Sequence, residues 1–211
     1  METRAIDVVA KSNPGIKIKL IPGHFATNHS HINFFIDLTK LKTRAADARL
    51  VGEELARKYA DTSIDTIVCM DDCEIVAAFL ANALADNRRS INAEKNISVL
   101  VPEYNTSGQM IFRDNIQGMI WQKNVLLLIA SATTGKTLKR AFECIRYYSG
   151  TVCGVAALFS ATDDVEGVKI NSIFSTRDVP GYMTYSHYEC PACAAGQKID
   201  ALVNAHGYSK I

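Results

Sequence analysis

Between residues 44 and 60, apolar side chains fall at Ala48, Val51, Leu55 and Tyr59 with charges opposite, a 3.6-residue stripe that predicts a surface helix. A short β-rich run at 65–70, a helical stretch at 74–85 and a second short run at 97–101 then read as strand, helix, strand. Residues 103–118 are polar and contain glycine, which predicts a hairpin or a mobile loop over a site. The run 125–129 is continuously apolar, as expected of a strand covered on both faces in a parallel sheet. Leu138, Ala141, Phe142, Ile145 and Tyr148 share one face against Lys139, Arg140, Glu143 and Arg146, so a second amphipathic helix follows, with Gly150 as its stop. Residues 151–160 form the next buried strand. The order β-α-β-β-α-β predicts an α/β fold around a mostly parallel sheet. Ligands of such sheets sit at the carboxyl ends of the strands, which directs attention to the segments after Met70, Val101 and Ile129.

The chain has 211 residues, enough for one sizeable core with a small appendage. A hydrophobic content of 48% with 21% charged residues is ordinary globular usage and excludes a disordered or fibrous chain. A formal charge of +1 lacks the cationic excess of a nucleic-acid binder, so small molecules are the expected ligands. No apolar run reaches membrane-spanning length, and the first fifteen residues interleave charges with apolar side chains, so neither a membrane partner nor a secretion signal is expected. A cytoplasmic address is the expectation, consistent with six scattered cysteines read as reduced thiols.

The densest chemistry lies in VLLLIASATTGKT at 125–137, where a buried strand meets a helix through small and hydroxylated residues. Unpaired backbone N–H groups in a first helical turn, with the helix dipole behind them, attract an anion. Ser131, Ala132, Thr133, Thr134, Gly135, Lys136 and Thr137 are therefore the candidate phosphate site. Read as A-x-x-x-x-G-K-T, residues 130–137 differ from a nucleotide-hydrolase P-loop at the first position. That reading suffers from placement, because a P-loop normally closes the first strand of its sheet.

The same segment resembles the diphosphoribosyl-binding motif of type I phosphoribosyltransferases, a strand followed by two acids, two variable residues and T-T-G-x-T/S. GHFATNHSHINFFIDL at 23–38 is similar to the N-terminal hood segment of orotate phosphoribosyltransferases, and CPACAAG at 190–196 also has a counterpart there. The resemblance covers roughly residues 20–200. It implies a type I phosphoribosyltransferase fold with a mostly parallel central sheet flanked by helices. It further implies a hood segment over 1–40, an α/β core over 41–165 and a strand and Cys-containing tail over 166–211 packing on both. A homodimer, Mg²⁺ as cofactor and transfer of ribose 5-phosphate from phosphoribosyl diphosphate to a pyrimidine base come with the family.

The departures cluster at the reacting centre. The two acids that hold the ribose hydroxyls fall at Ile129 and Ala130, which offer no side-chain acceptor. The cations of the family's loop fall at Val101, Pro102, Asn105 and Ser107, with Arg113 or Lys123 as the remaining candidates to supply charge. Asp71, Asp72 and Glu74 stand where the family uses small residues against diphosphate, so this turn is a diphosphate or metal loop, or a solvated turn in which Asp72 caps the next helix. Ser30 stands where the family tends to carry a base-contacting cation. His187, Cys190 and Cys193 are spaced to hold a structural zinc if a fourth ligand such as His206 is near; a reduced pair in a Pro191 turn is the other reading. Two functions remain open: an orotate phosphoribosyltransferase-like enzyme of weak or altered activity, and a non-catalytic homologue that binds a nucleotide or sugar phosphate as a sensor or regulatory partner.

Overall fold

The continuous apolar run at 125–129 becomes the centre of the molecule, because every side chain along it is buried. A computed structural model of the chain describes residues 2–106 and 108–211, so the expectation placed on Ser107 lies outside the described residues. The first strands are β1 (Ile6–Val9), β2 (Lys17–Ala26) and β3 (His31–Asp37), followed by helices α1 (Thr39–Thr43) and α2 (Ala45–Lys58). Next come β4 (Thr66–Cys69), α3 (Glu74–Asp86), β5 (Ser98–Leu100), β6 (Glu103–Tyr104), β7 (Met110–Ile111) and α4 (Asp114–Gln117). The chain continues through β8 (Asn124–Ala132), α5 (Lys136–Tyr147), β9 (Thr151–Ser160), β10 (Asp164–Val165) and β11 (Val168–Ser175). It closes with β12 (Thr184–Tyr185), α6 (Pro191–Ala194), β13 (Ala201–Asn204) and β14 (Gly207–Lys210).

The central sheet has the order β10-β11-β9-β8-β4-β5. All its pairings are parallel except the β10–β11 hairpin. Alternation along the strands sorts the core into two layers. Leu126, Leu128 and Ala130 join the cluster under α2 and α3, with Val51, Leu55, Val76 and Leu80. Val125, Leu127 and Ile129 join the cluster under α5, with Leu138, Phe142 and Ile145. Each fully buried Leu or Ile of these layers contributes roughly 1.5–3 kcal/mol by leaving water, which is why a run apolar on both faces can exist only here.

A second sheet, order β12-β3-β2-β13-β14 with β1 on β2, is built from the two ends of the chain. Its β2–β3 hairpin is antiparallel, and β13 adds parallel to β2 through Ala201 opposite Phe25 and Leu202 opposite Ala26.

Two local expectations are corrected, and of the two forms expected for 103–118 the hairpin is the one found. The strand at 125–129 extends to Ala132, because its pairing with β9 continues to Ala132 opposite Ser160. Helix α5 ends through Ser149 in the left-handed region (φ 59°), while Gly150 has no positive φ. Gly150 matters for space: a Cβ there would stand 2.8 Å from Ile145 Cγ2 and 2.9 Å from Ile120 Cγ2. The polar stretch at 103–118 forms the β6–β7 hairpin on either side of Ser107, followed by α4.

Candidate functional site

At the carboxyl end of β8 the chain turns over residues 133–135 and enters α5 at Lys136. Gly135 is the residue before the helix, at φ 72°, and a Cβ on it would meet Val165 Cγ2 at 2.7 Å. Both conformation and space therefore require glycine. A cavity of about 380 Å³ opens beside this turn, and Ser131, Thr133 and Thr137 line it. Of the other four candidates, Thr134, Gly135 and Lys136 belong to the turn and helix start but do not line the cavity. Ala132 is a strand residue whose carbonyl accepts the Ala161 N–H at 2.8 Å. The cavity's apolar wall includes Ile129, Phe35, Phe159 and Tyr182, the last two rings meeting edge to face at 5.2 Å.

A second cavity of about 430 Å³ adjoins the first, sharing Asp71, Thr137 and His206 with it. Asp71 and Asp72 are consecutive left-handed residues, φ 59° and 57°, which turn the chain sharply out of β4. Burial pushes the Asp71 carboxyl up, while the Lys42 ammonium and the backbone amides of Ala130 and Ser131 pull it down. A carboxylate thus lies against the end of β8 although the strand itself carries none. Asp72 does not cap α3; Cys73 occupies that position, without a side-chain cap. Asp72 instead meets His206 Nδ1 at 2.5 Å and Lys42 Nζ at 3.8 Å. Glu74 opens α3 and lines the second cavity.

Lys42 is the residue that local sequence reading missed. It is only 5% exposed, and its Nζ donates to the Asp71 carbonyl at 2.9 Å and to the Ala205 carbonyl at 2.6 Å. Its one sequence signal is position: it follows Leu41 on the buried side of α1. On the opposite wall Val101 and Pro102 line the second cavity and bring no charge. Neither candidate replacement cation lines either of these two cavities. Arg113 is held by Glu103 through bonds of 2.6 and 2.9 Å to one carboxylate oxygen, and Lys123 precedes β8 at the far end of the strand. Arg140 does reach the second cavity, three residues beyond Thr137 on the same face of α5.

No family model matches the chain. Among curated proteins it is similar to the orotate phosphoribosyltransferase of Sulfurimonas denitrificans, 26% identical over 194 residues that cover 85% of this chain and 90% of that protein. It is also similar to the orotate phosphoribosyltransferase of Thermus thermophilus, 24% identical over 184 residues covering 86% and 92%. Its fold matches a phosphoribosyltransferase from Corynebacterium diphtheriae with a TM-score of 0.54 at 22% identity, over 74% of this chain and 90% of that one. The Mycobacterium tuberculosis orotate phosphoribosyltransferase, solved with Fe(III) dicitrate, matches with a TM-score of 0.54 at 16% identity, over 76% and 91%. The chain is similar in sequence to orotate phosphoribosyltransferases and has the type I phosphoribosyltransferase fold. The sheet agrees with that and not with a P-loop, since β8 is the third parallel strand in chain order.

Against the family pattern, Ser30 does not point a polar group at the ligand space. It is 3% exposed and its hydroxyl pairs with Thr27 Oγ1 at 3.0 Å, leaving Thr27, Asn28 and His29 to line the cavity from the β2–β3 turn. The expected metal set is also rearranged. Cys190 and Cys193 converge with His24 and His31, the only such grouping of three or more side chains among the described residues. His187 stacks edge-on against His31 at 4.9 Å and is outside the group, and His206 is engaged by Asp72. Burial, then His24 and His187, lowers the His31 pKa. No helix among the described residues is long and apolar enough to cross a membrane.

Proposed function

We propose that this chain is an orotate phosphoribosyltransferase-like protein that binds a ribose 5-phosphate compound, with the phosphate at residues 133–137 and the ribose over the end of β8. The observation that carries this reading is the cavity of about 380 Å³ lined at one end by Thr133 and Thr137 and in its wall by Asp71. A phosphate there gains hydroxyl donors and the N-terminal end of α5, a helix of 12 residues. Asp71 takes over the ribose-hydroxyl contact that Ile129 and Ala130 cannot make, and the Phe35, Phe159 and Tyr182 wall suits the face of a flat base. Asp71 or Asp72 would be the protein ligand of a Mg²⁺ ion, which would supply positive charge against the substrate phosphates; among the described residues the acidic loop gathers no three-ligand group of its own. Among the described residues Arg140 is the one Lys or Arg lining the second cavity and is the candidate to face the diphosphate. A cytoplasmic homodimer belongs to the same reading.

Replacing Thr133 and Thr137 together by valine is expected to weaken uridine 5′-monophosphate binding by tenfold or more in calorimetric titration, since each lost bond to a charged group is worth about 1.5–3 kcal/mol. Uridine itself, lacking the phosphate, should bind the variant and the parent alike. Unchanged nucleotide affinity would remove the cradle from consideration.

Asp71→Asn tests the ribose contact with a sign of its own. The folded-state pKa of Asp71 is raised, so the folded protein holds that proton more tightly than the unfolded chain, and the charged form opposes folding above the folded pKa. The amide is therefore expected to raise the urea midpoint at pH 7, to lose that advantage as pH falls through the Asp71 pKa, and to weaken nucleotide binding. A variant less stable at pH 7, with binding intact, would contradict both assignments.

The second reading, a non-catalytic homologue that uses the site to sense a nucleotide, is favoured by one specific observation. The Glu103 carboxylate occupies Arg113, one of the two candidate replacement cations.

A further inference from the structure

We propose that His24, His31, Cys190 and Cys193 bind one Zn²⁺ ion as a closed structural site that staples the C-terminal tail to the hairpin of the terminal sheet. The proposal rests on this geometry alone and is independent of what the central cleft binds.

The four ligand atoms all lie within 4.8 Å of one another, although they come from chain positions as much as 169 residues apart. His24 Nε2 stands 3.0 Å from His31 Nδ1 and 3.5 Å from Cys190 Sγ. Cys193 Sγ stands 3.2 Å from His31 Nδ1 and 3.6 Å from His24 Nε2. A tetrahedral zinc with ordinary Zn–N and Zn–S bonds separates its ligand atoms by about 3.3–3.8 Å, so these spacings are close to the edges of that tetrahedron. Hydrogen bonding explains the crowding less well, because the single lone pair of His24 Nε2 faces three polar atoms at once.

The surroundings are those of a ligand set. His24 Nδ1 lies 3.0 Å from the Gln197 carbonyl, which makes it the protonated nitrogen and leaves Nε2 free to face the ion. His24, His31 and Cys190 are 2%, 7% and 4% exposed, with Cys193 closing the group at the surface. Two thiolates and two neutral imidazoles cancel the ion's charge, which suits a buried position. Two sulfurs and two nitrogens in a tetrahedron select zinc over the hard cations that prefer oxygen. Four protein ligands leave no open position, so the site is structural rather than catalytic. His24 is in β2, His31 opens β3, and the two thiols bracket Pro191 at the start of α6. Beyond α6 the chain pairs with β2 and then delivers Ala205 and His206 to the central cleft, so the ion would anchor the segment that forms that wall.

The test is the zinc content of the protein purified without chelators, together with the visible spectrum after exchange with Co²⁺. About one zinc per chain is expected, with intense tetrahedral d–d bands and thiolate charge transfer in the cobalt form. His31→Ala and Cys193→Ala should lose the stoichiometric metal, and His187→Ala should keep it. Because the ligand variants can fail to fold, the parent protein is also treated with a strong chelator. Its thermal midpoint should fall by on the order of 10 °C and recover when Zn²⁺ is added back. The proposal is overturned if the folded parent holds no zinc and gives no tetrahedral cobalt spectrum, if Cys190 and Cys193 are found joined as a disulfide, or if His187→Ala loses the metal as His31→Ala does.

Discussion

With orotate and phosphoribosyl diphosphate, turnover is expected to fall at least 10³-fold below the usual range of about 1–10³ s⁻¹. The reason is a deficit of positive charge where, in the proposed function, a diphosphate would leave. Val101 and Pro102 line that side of the cleft, Arg113 is tied to Glu103, and Lys123 sits at the far end of β8. Among the described residues that line this cavity Arg140 is the remaining Lys or Arg, opposed by Asp71, Asp72 and Glu74. Losing one preorganised electrostatic contact commonly raises a barrier by about 2.7–4 kcal/mol, so even partly additive losses at several positions exceed three orders of magnitude. Following orotate absorbance over hours at high protein concentration measures the rate. A rate near 1 s⁻¹ would mean that Arg140, with Mg²⁺, neutralises the diphosphate unaided, and Arg140→Gln would then abolish it. Acids placed at Ile129 and Ala130 are not expected to restore turnover. Both side chains are 2% exposed, and Asp71 already lies against that strand end.

Lys42→Ala is expected to cost about 2–4 kcal/mol of folding stability, lowering the thermal midpoint by roughly 5–15 °C. Its ammonium joins three segments distant in sequence: α1, which carries it, the acidic turn through the Asp71 carbonyl, and the tail through the Ala205 carbonyl. Removing it strands two carbonyls and leaves Asp71 and Asp72 without their nearest cation. Lys42→Met keeps most of the volume and separates lost charge from lost packing: it should remain destabilised by most of the same amount. Urea denaturation of the three proteins measures this, and an alanine variant within about 0.5 kcal/mol of the parent would show that water replaces the ammonium at no cost. The same substitutions should loosen the wall formed by residues 203–206, with weaker nucleotide binding as the second readout.

The local sequence determined what depends on neighbours a few residues away. The stripe at 44–60 became α2 over Ala45–Lys58, and the apolar run at 151–160 became β9 over Thr151–Ser160. The periods 3.6 and 2 are properties of the backbone itself, so a segment that must bury one face writes that face into its sequence. The turn after β8 was legible for the same reason, because small residues and Gly135 are what a sharp strand-to-helix turn requires. Ser149 in place of Gly150 shows the limit of that logic: a helix end needs a left-handed residue, and neighbouring side chains decide which one takes it.

Tertiary structure alone decided the chemistry. No spacing rule connects Asp71 to the amides of Ala130 and Ser131, since parallel pairing of β4 with β8 is what brings them together. Lys42 reads as an ordinary surface lysine until the tail folds back over it. The thiols of Cys190 and Cys193 predicted a metal with His187 nearby in sequence, yet His24 and His31 complete the group, because β13 adds to β2 and returns the tail to the first hairpin. Such groupings leave no periodic trace: each residue satisfies its local element on its own, and the energy that unites them exists only after sheets and tail have closed around one another.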